Sequence, residues 1–585
     1  MSRLSFDEKQ FYLDNKPIQI LSGAIHYFRV VPEYWHDRLM KLKQCGFNTV
    51  ETVTCWNQHE KQEGSFDFQG ILDIGRFIDE AARVGLYVIL RPGPYTCAEM
   101  SMGGLPYWLL KDPEIKIRCN NEPFLKKVRA YYHELFKIIR PRLIENGGNI
   151  IAVQIENEYG SFGDDREYLK KIKEIYEEEK VSCLMFTSDG PGYFMLSGGT
   201  LEGVLATVNF GSNPKDNFNL LRQFRNDQPQ MCMEYWNGWF DHWYEQHHER
   251  ESGETADVFE EMVSAGHSVN LYMFHGGTNF GLINGANYDE HIQPVVTSYD
   301  YNCPVSECGD LTDKYYEIHD RLEKIFNKKL PITALNSEKK AYGKLEFTHK
   351  ADLFDNLDKL AAPIDSRAPL SFEEMDIGSG IAVYTTEFDG PFEELELEID
   401  GLADRASVYI DDRLQGIKEA TGKRWDKVQF GLSFGEKAQV KIVIEDMGRV
   451  NYGGHIFDKK GICRGVRIAN RYHFGWKIYP IDLSDITRIS YKQIDKDIES
   501  CKPGFYKALL DIDTVKDTFI KPIGFSKGFI WINGFNIGRF YNTAGPQKTL
   551  YVPAPLLRTG ENEIEILELD ECIRPEVVFV DKEEL

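Results

Sequence analysis

The chain has 585 residues, more than one hydrophobic core sustains, so two or more domains are expected. A hydrophobic content of 42% and a charged content of 27% are ordinary for a soluble globular protein and exclude a disordered chain. The net charge of −24 argues against a nucleic-acid or anionic-membrane partner, because phosphates need Lys and Arg to neutralise them.

The first residues, Met1 to Asp7, lack the apolar core of a signal peptide, and no run of about 18 apolar residues follows. The 11 cysteines are odd in number and scattered without a CxxC pair, as expected of free thiols in a reducing compartment. Cys303 and Cys308 have no second pair at metal-ligand spacing. The expected location is the cytoplasm.

Eight short apolar runs come next, at 18–24, 49–53, 87–91, 150–155, 184–188, 204–208, 230–234 and 269–274. Helix-period segments separate them. Trp35, Leu39 and Leu42 recur at helical spacing after Pro32, and Phe124, Val128, Tyr131, Leu135 and Ile138 after Pro123. Alternation of this kind marks parallel β/α units, and eight of them in about 300 residues suggest a closed (β/α)8 TIM barrel over 1–325.

The texture changes at Asn327-Lys328-Lys329-Leu330-Pro331, which reads as a linker. Short strands with tight turns follow. Leu395, Leu397 and Ile399 alternate, Val408 to Ile410 runs into Asp411-Asp412, and Phe529 to Ile532 meets the hairpin signal Asn533-Gly534. A last strand is expected at 577–580. The fold class is therefore multidomain, a TIM barrel followed by all-β sandwich domains at 326–480 and 481–585, with Trp476 to Pro480 at the boundary. Phe529 and Trp531 are expected in a sandwich core.

Reactive side chains of such barrels sit at the C-terminal ends of strands. Strand four ends in Gln154-Ile155-Glu156-Asn157-Glu158-Tyr159-Gly160, and strand seven ends in Glu234-Tyr235-Trp236-Asn237-Gly238-Trp239-Phe240. Two carboxyl groups facing each other across a barrel mouth are what glycoside hydrolysis needs, one to protonate the leaving oxygen and one to attack the anomeric carbon. Trp236, Trp239 and Tyr159 offer flat faces for a sugar ring, and Asn157 a hydrogen bond to a hydroxyl. Period-two alternation puts Glu156 and Glu158 on the same side of a strand, so the pattern alone leaves both open.

These segments resemble glycoside hydrolase family 35, the β-galactosidase family. The resemblance also rests on Ser22-Gly23-Ala24-Ile25-His26-Tyr27-Phe28-Arg29, Trp56-Asn57-Gln58-His59-Glu60, Arg91-Pro92-Gly93-Pro94-Tyr95, Cys97-Ala98-Glu99, Gly103-Gly104-Leu105-Pro106, the stretch from Tyr272 to Phe280, and Thr297-Ser298-Tyr299-Asp300-Tyr301. It implies Glu158 as acid/base and Glu234 as nucleophile. Cys97 and Ala98 through their backbone, and Glu99 through its side chain, would hold the sugar hydroxyls. Asn157, Trp236, Trp239, Tyr272 and Tyr299 would complete the pocket. No metal or organic cofactor is implied, and the β-sandwich part would carry jelly-roll, galactose-binding-like modules.

The activity implied is exo-acting, retaining hydrolysis of terminal β-D-galactosyl residues of a small oligosaccharide. Val53 stands where the family usually has a pocket Tyr, and Met100 where a Trp usually follows the Cys-Ala-Glu triplet. These departures admit the same mechanism on another β-glycoside such as a β-glucoside, or transglycosylation. A catalytically dead sugar-binding barrel is the third reading. The accessory β domains leave room for a homodimer. His26, His59 and His275 are expected to pack or support the site. His242, His247 and His248 match no metal-ligand spacing and read as a loop. Some of Glu51, Asp189, Asp300 and Glu307 are expected to support the pocket. Tyr452, in the loop-like stretch Arg449-Val450-Asn451-Tyr452-Gly453, is expected to reach the barrel mouth and help form the leaving-group site.

Overall fold

The computed structural model describes residues 3–494 and 502–585. Eight parallel strands close into a barrel in chain order: β1 (Leu21–Ile25), β2 (Thr49–Val53), β3 (Tyr87–Arg91), β4 (Ile150–Gln154), β5 (Leu184–Asp189), β6 (Leu205–Phe210), β7 (Met231–Trp236) and β8 (Ser268–His275). Nearly every strand residue is buried, because helices cover the outside and side chains fill the inside. That is why these strands read as continuous apolar runs. The run expected from 18 enters the barrel only at Leu21, because Lys16–Ile18 pairs with Phe11–Leu13 in a small antiparallel sheet.

A helix follows each strand. Ile74–Val84 shows how the sequence bounds one. Asp73 caps its first turn by accepting from the Arg76 N–H at 2.9 Å, and Gly85 at φ +81° ends it. Its buried face is Ile74, Phe77, Ile78 and Ala81. In Glu122–Ile139, Asn121 caps and Pro123 sits in the first turn, while Phe124, Val128, Tyr131 and Leu135 turn inward. Among the described residues no helix is long and apolar enough to cross a membrane.

Beyond the barrel the described residues are mostly β, with a helical turn at Leu357–Leu360. A six-stranded sheet in the order Ile364–Ser366, Trp476–Ile481, Ile381–Asp389, Lys437–Glu445, Arg405–Ile410, Arg413–Glu419 belongs to one sandwich. A second six-stranded sheet contains Gly504–Ile512, Gly560–Glu568, Lys527–Ile532 and Phe535–Tyr541. The chain enters this last group early: Gly343–Glu346 pairs with Glu576–Val580, and His349–Asp352 with Gly504–Ile512. Both expected hairpins form, with Asp411, Asp412, Asn533 and Gly534 all at positive φ as a type I′ turn demands.

Phe529 and Trp531 are not in a sandwich core, contrary to expectation. They lie in the apolar layer between the two sandwiches, with Val383, Tyr409 and Val443. The alternate residues Ile530 and Ile532 fill the core instead. The sandwiches also meet the barrel directly. The hairpin of Gly285–Asp289 and His291–Pro294 adds Arg449–Val450 as a parallel third strand, which carries residues of the first sandwich to the barrel mouth.

Candidate active site

A cavity of about 240 Å³ opens at the C-terminal end of the barrel. Cys97, Ala98, Glu99, Asn157, Glu158, Glu234, Trp236, Trp239 and Tyr272 all line it. Nine of the ten residues expected at the site therefore converge. The tenth, Tyr299, is fully buried behind the wall, where its hydroxyl donates to the Glu99 carboxylate.

β4 ends at Gln154, and both Glu156 and Glu158 then adopt left-handed backbone, at φ 56° and 44°. Alternation, which holds for extended chain, no longer applies. The two carboxyl groups part company. Glu156 turns inward into a bidentate pair with Arg118, at 2.8 and 2.9 Å. Glu158 faces the cavity.

The environments of Glu158 and Glu234 differ sharply. Glu158 Oε1 accepts one neutral amide hydrogen bond, from Asn209 Nδ2 at 2.8 Å. Burial, and then the charge of Glu234, push the Glu158 carboxyl up to about 8. Glu234 instead accepts from the Arg91 guanidinium at 2.6 Å and from the Trp236 indole at 3.1 Å. Arg91 also donates to the Asn157 side-chain oxygen, and its other terminal nitrogen stands 3.6 Å from Glu51. Burial pushes Glu51 up to about 7, against the opposing pull of Arg91. One guanidinium thus aligns a carboxylate of β7 with the amide that precedes Glu158.

Another wall of the cavity is the loop after β3. Cys97, Ala98 and Glu99 are three successive left-handed residues, at φ 57°, 52° and 48°. Such backbone costs about 1–2 kcal/mol per residue and persists only under external constraint. The constraints are visible. Arg29 donates to the Ala98 carbonyl at 2.5 Å and lies 3.7 Å from the centroid of the Tyr299 ring. Burial raises the Glu99 carboxyl above its ordinary value, opposed by the Tyr299 hydrogen bond.

Trp236 and Trp239 meet edge to face at 5.8 Å on one side of the mouth, and Trp239 is 38% exposed. Tyr452 from the first sandwich also lines the cavity and is 40% exposed, as its sequence position led us to expect. Phe240, Asn287 and Tyr301 also line the cavity and were not anticipated. Nor was the part played by Arg91, although it is the one arginine that closes a barrel strand. Val53 and Met100 are fully buried, and neither lines the cavity.

The histidines have other partners. His26 contacts Arg29, His59 contacts the Tyr27 hydroxyl, and His275 contacts the Val305 carbonyl. His247 and His248 both bind Asp241, at 2.7 and 2.8 Å, while His242 binds Glu245. Asp189 accepts from the Gly160 N–H at 2.7 Å, fixing the turn after Glu158.

Comparison with known proteins points the same way. A family model described as Glycosyl hydrolases family 35 matches residues 10–325. Two more match 369–482, described as the first all-beta domain of beta-galactosidase, and 503–562, described as its galactose-binding domain. The chain is 38% identical to the beta-galactosidase-1-like protein of Mus musculus over 98% of its own length and 91% of that protein. It is 38% identical to the beta-galactosidase of Bos taurus, covering 97% and 90%, and 39% identical to that of Xanthomonas manihotis, covering 93% and 90%.

Proposed function

Because the chain belongs to glycosyl hydrolases family 35 and is a glycoside hydrolase, we propose that it removes terminal β-linked galactose from small oligosaccharides with retention of configuration. The observation that carries this reading is the pair Glu158 and Glu234, which share one cavity in unlike surroundings. Pairs of carboxyl groups held in different environments divide acid and nucleophile roles between them.

In the first step the Glu234 carboxylate attacks the anomeric carbon and the glycosidic C–O bond breaks. Glu158 passes its proton to the departing oxygen. In the second step water attacks the same carbon, Glu158 takes the proton from that water, and the ester to Glu234 breaks. Esterification removes the Glu234 charge, and with it one cause of the raised Glu158 pKa. Having given up its proton in the first step, Glu158 is thereby held in the ionised form that the base of the second step requires. Arg91 and the Trp236 indole orient the attacking carboxylate, and Asn157 is placed to bond a sugar hydroxyl.

Exo action agrees with the size of the cavity. Its 240 Å³ lies just under the ~300–1,000 Å³ range of drug-sized ligand pockets, room for one terminal ring. The leaving group then lies among Trp239, Trp236 and Tyr452 at the mouth. Galactose as that ring is supported by the names of the relatives. Val53 and Met100 are buried and do not line the cavity, so another β-glycoside remains the alternative that a substrate panel tests.

Glu234→Gly is expected to lower turnover of nitrophenyl β-galactoside by about 10⁴-fold or more, with azide restoring it as an azide adduct. Wild-type-like turnover in that variant would remove Glu234 from its role. A nitrophenyl glycoside panel tests the sugar, and higher activity on β-glucoside than on β-galactoside would overturn galactose. Disaccharides of different linkage, tested on Tyr452→Ala, check the leaving-group site; an unchanged preference would exclude Tyr452 from it.

A further inference from the structure

A second cleft, of about 490 Å³, lies where the barrel meets both sandwiches. It is roughly twice the size of the cavity and shares none of its lining residues. Its volume is within the ~300–1,000 Å³ range of small-molecule sites, and contacts between domains are a favoured place for them.

The wall chemistry narrows the ligand. Asn57, Gln58, Ser379, Ser484 and Asn536 offer amides and hydroxyls, beside apolar surface from Leu105, Ile283 and Leu483. The cations Lys61 and Arg449 are outnumbered by Asp67, Asp376 and Asp482. His59 adds no charge, because burial lowers its pKa to about 4. An anion is disfavoured and a neutral, hydroxyl-rich molecule fits.

Arg449 supplies a built feature. It is only 2% exposed, and its guanidinium is fixed by Glu373 and by the Gly378 carbonyl, 2.9 Å from Nε. Its buried Nη2 finds no acceptor in the protein.

Three stretches of chain line both spaces. Cys97 to Glu99 face the cavity while Ser101 and Leu105 face the cleft. Asn287 faces the cavity while Gly281 to Ile283 face the cleft. Tyr452 faces the cavity while Arg449 faces the cleft. These stretches are also tied to one another. The Ser101 N–H donates to the Ile283 carbonyl at 2.9 Å, and Gly285 and Ala286 pair with Arg449 and Val450.

We propose that this cleft is a second, non-hydrolytic site for a neutral saccharide of one or two rings, coupled to the cavity through the three shared stretches. Isothermal titration of the Glu234→Gln chain with galactose, glucose, N-acetylglucosamine, lactose and maltose tests the site. The same titrations are repeated with Ser379→Trp or Ser484→Trp added, each filling the cleft from a turn that does not line the cavity. At least one sugar is expected to bind at a site that both tryptophans weaken tenfold or more. In the wild-type chain that sugar changes the KM for a nitrophenyl glycoside at least threefold, and Ser484→Trp suppresses the change. Isotherms that neither tryptophan alters, for every sugar, would overturn the site. Binding that leaves KM unchanged would overturn the coupling. Neither outcome depends on which sugar the cavity hydrolyses, so failure of the galactoside reading remains distinguishable.

Discussion

At the scale of single residues, the surroundings of Glu158 predict a pH profile. The proposed acid works only while protonated, and its carboxyl is pushed up to about 8. Activity is therefore expected to persist through neutrality and to fall as pH rises through about 8. Two substitutions move that limb in opposite directions. The Asn209 hydrogen bond favours the ionised form, so Asn209→Ala is expected to shift it upward in a kcat/KM profile. The Glu234 charge disfavours that form, so Glu234→Gln is expected to shift the Glu158 titration downward, read by infrared difference spectroscopy of the carboxyl band. A Glu158 titration unmoved by Glu234→Gln would mean that the two groups do not feel each other. The two glutamate motifs were legible in sequence because both follow apolar runs. Alternation could not choose between Glu156 and Glu158, a choice that only the family resemblance made, because it depends on two left-handed residues and on Arg118, 38 residues away in the chain. Arg91 was visible as a strand-closing cation, yet its partners Glu51, Asn157 and Glu234 come from three other strands or strand ends.

At the scale of elements, the loop after β3 is the part of the site most exposed to backbone change. Gly103 has φ +60°, and a Cβ there would sit 2.1 Å from the Tyr95 ring and 3.0 Å from the Asn451 carbonyl. Tyr95 in turn donates to that carbonyl at 2.6 Å, which ties the loop to the first sandwich. Gly103→Ala is expected to cost about 2 kcal/mol or more and to raise KM, because it displaces the wall that carries Cys97 to Glu99. Calorimetry and steady-state kinetics check both effects; an unchanged midpoint and KM would show that the loop yields easily. All eight barrel strands were readable because each is buried on both faces, so apolar runs suffice. The sandwich hairpins were readable from their turn residues. What alternation could not reveal is which face of a strand meets which partner. Phe529 and Trp531 show this, since both faces of Lys527–Ile532 are buried, one in a core and one between sandwiches.

At the scale of the whole molecule, buried charges join the three parts. Lys527, fully buried in the second sandwich, pairs with Glu445 of the first at 2.7 Å. Close by, Arg405 pairs with Glu419 at 2.8 Å and with Asp570 at 2.5 Å, and Tyr244 of the barrel donates to Glu419 at 2.7 Å. Breaking a buried pair leaves an uncompensated charge, whereas replacing both members is often tolerated. Lys527→Met alone is expected to cost about 3–5 kcal/mol, and the addition of Glu445→Gln to recover more than half of it. Guanidinium denaturation of the four chains of that cycle checks this; a single substitution costing under about 1 kcal/mol would show that Arg539, 3.6 Å from Glu445, suffices alone. The early strands Gly343–Glu346 and His349–Asp352 have a consequence for how the molecule is made. Their partners emerge only after the intervening sandwich, Lys492–Gln493 about 140 residues after His349–Asp352 and Glu576–Val580 about 230 residues after Gly343–Glu346. At ~5–20 residues per second, a ribosome leaves His349–Asp352 waiting for about 7–28 s and Gly343–Glu346 for about 12–46 s. The middle sandwich is thus an insert that must close on itself while its neighbour is still half-written, and a nascent chain stalled in that interval would hold two strands in search of a sheet.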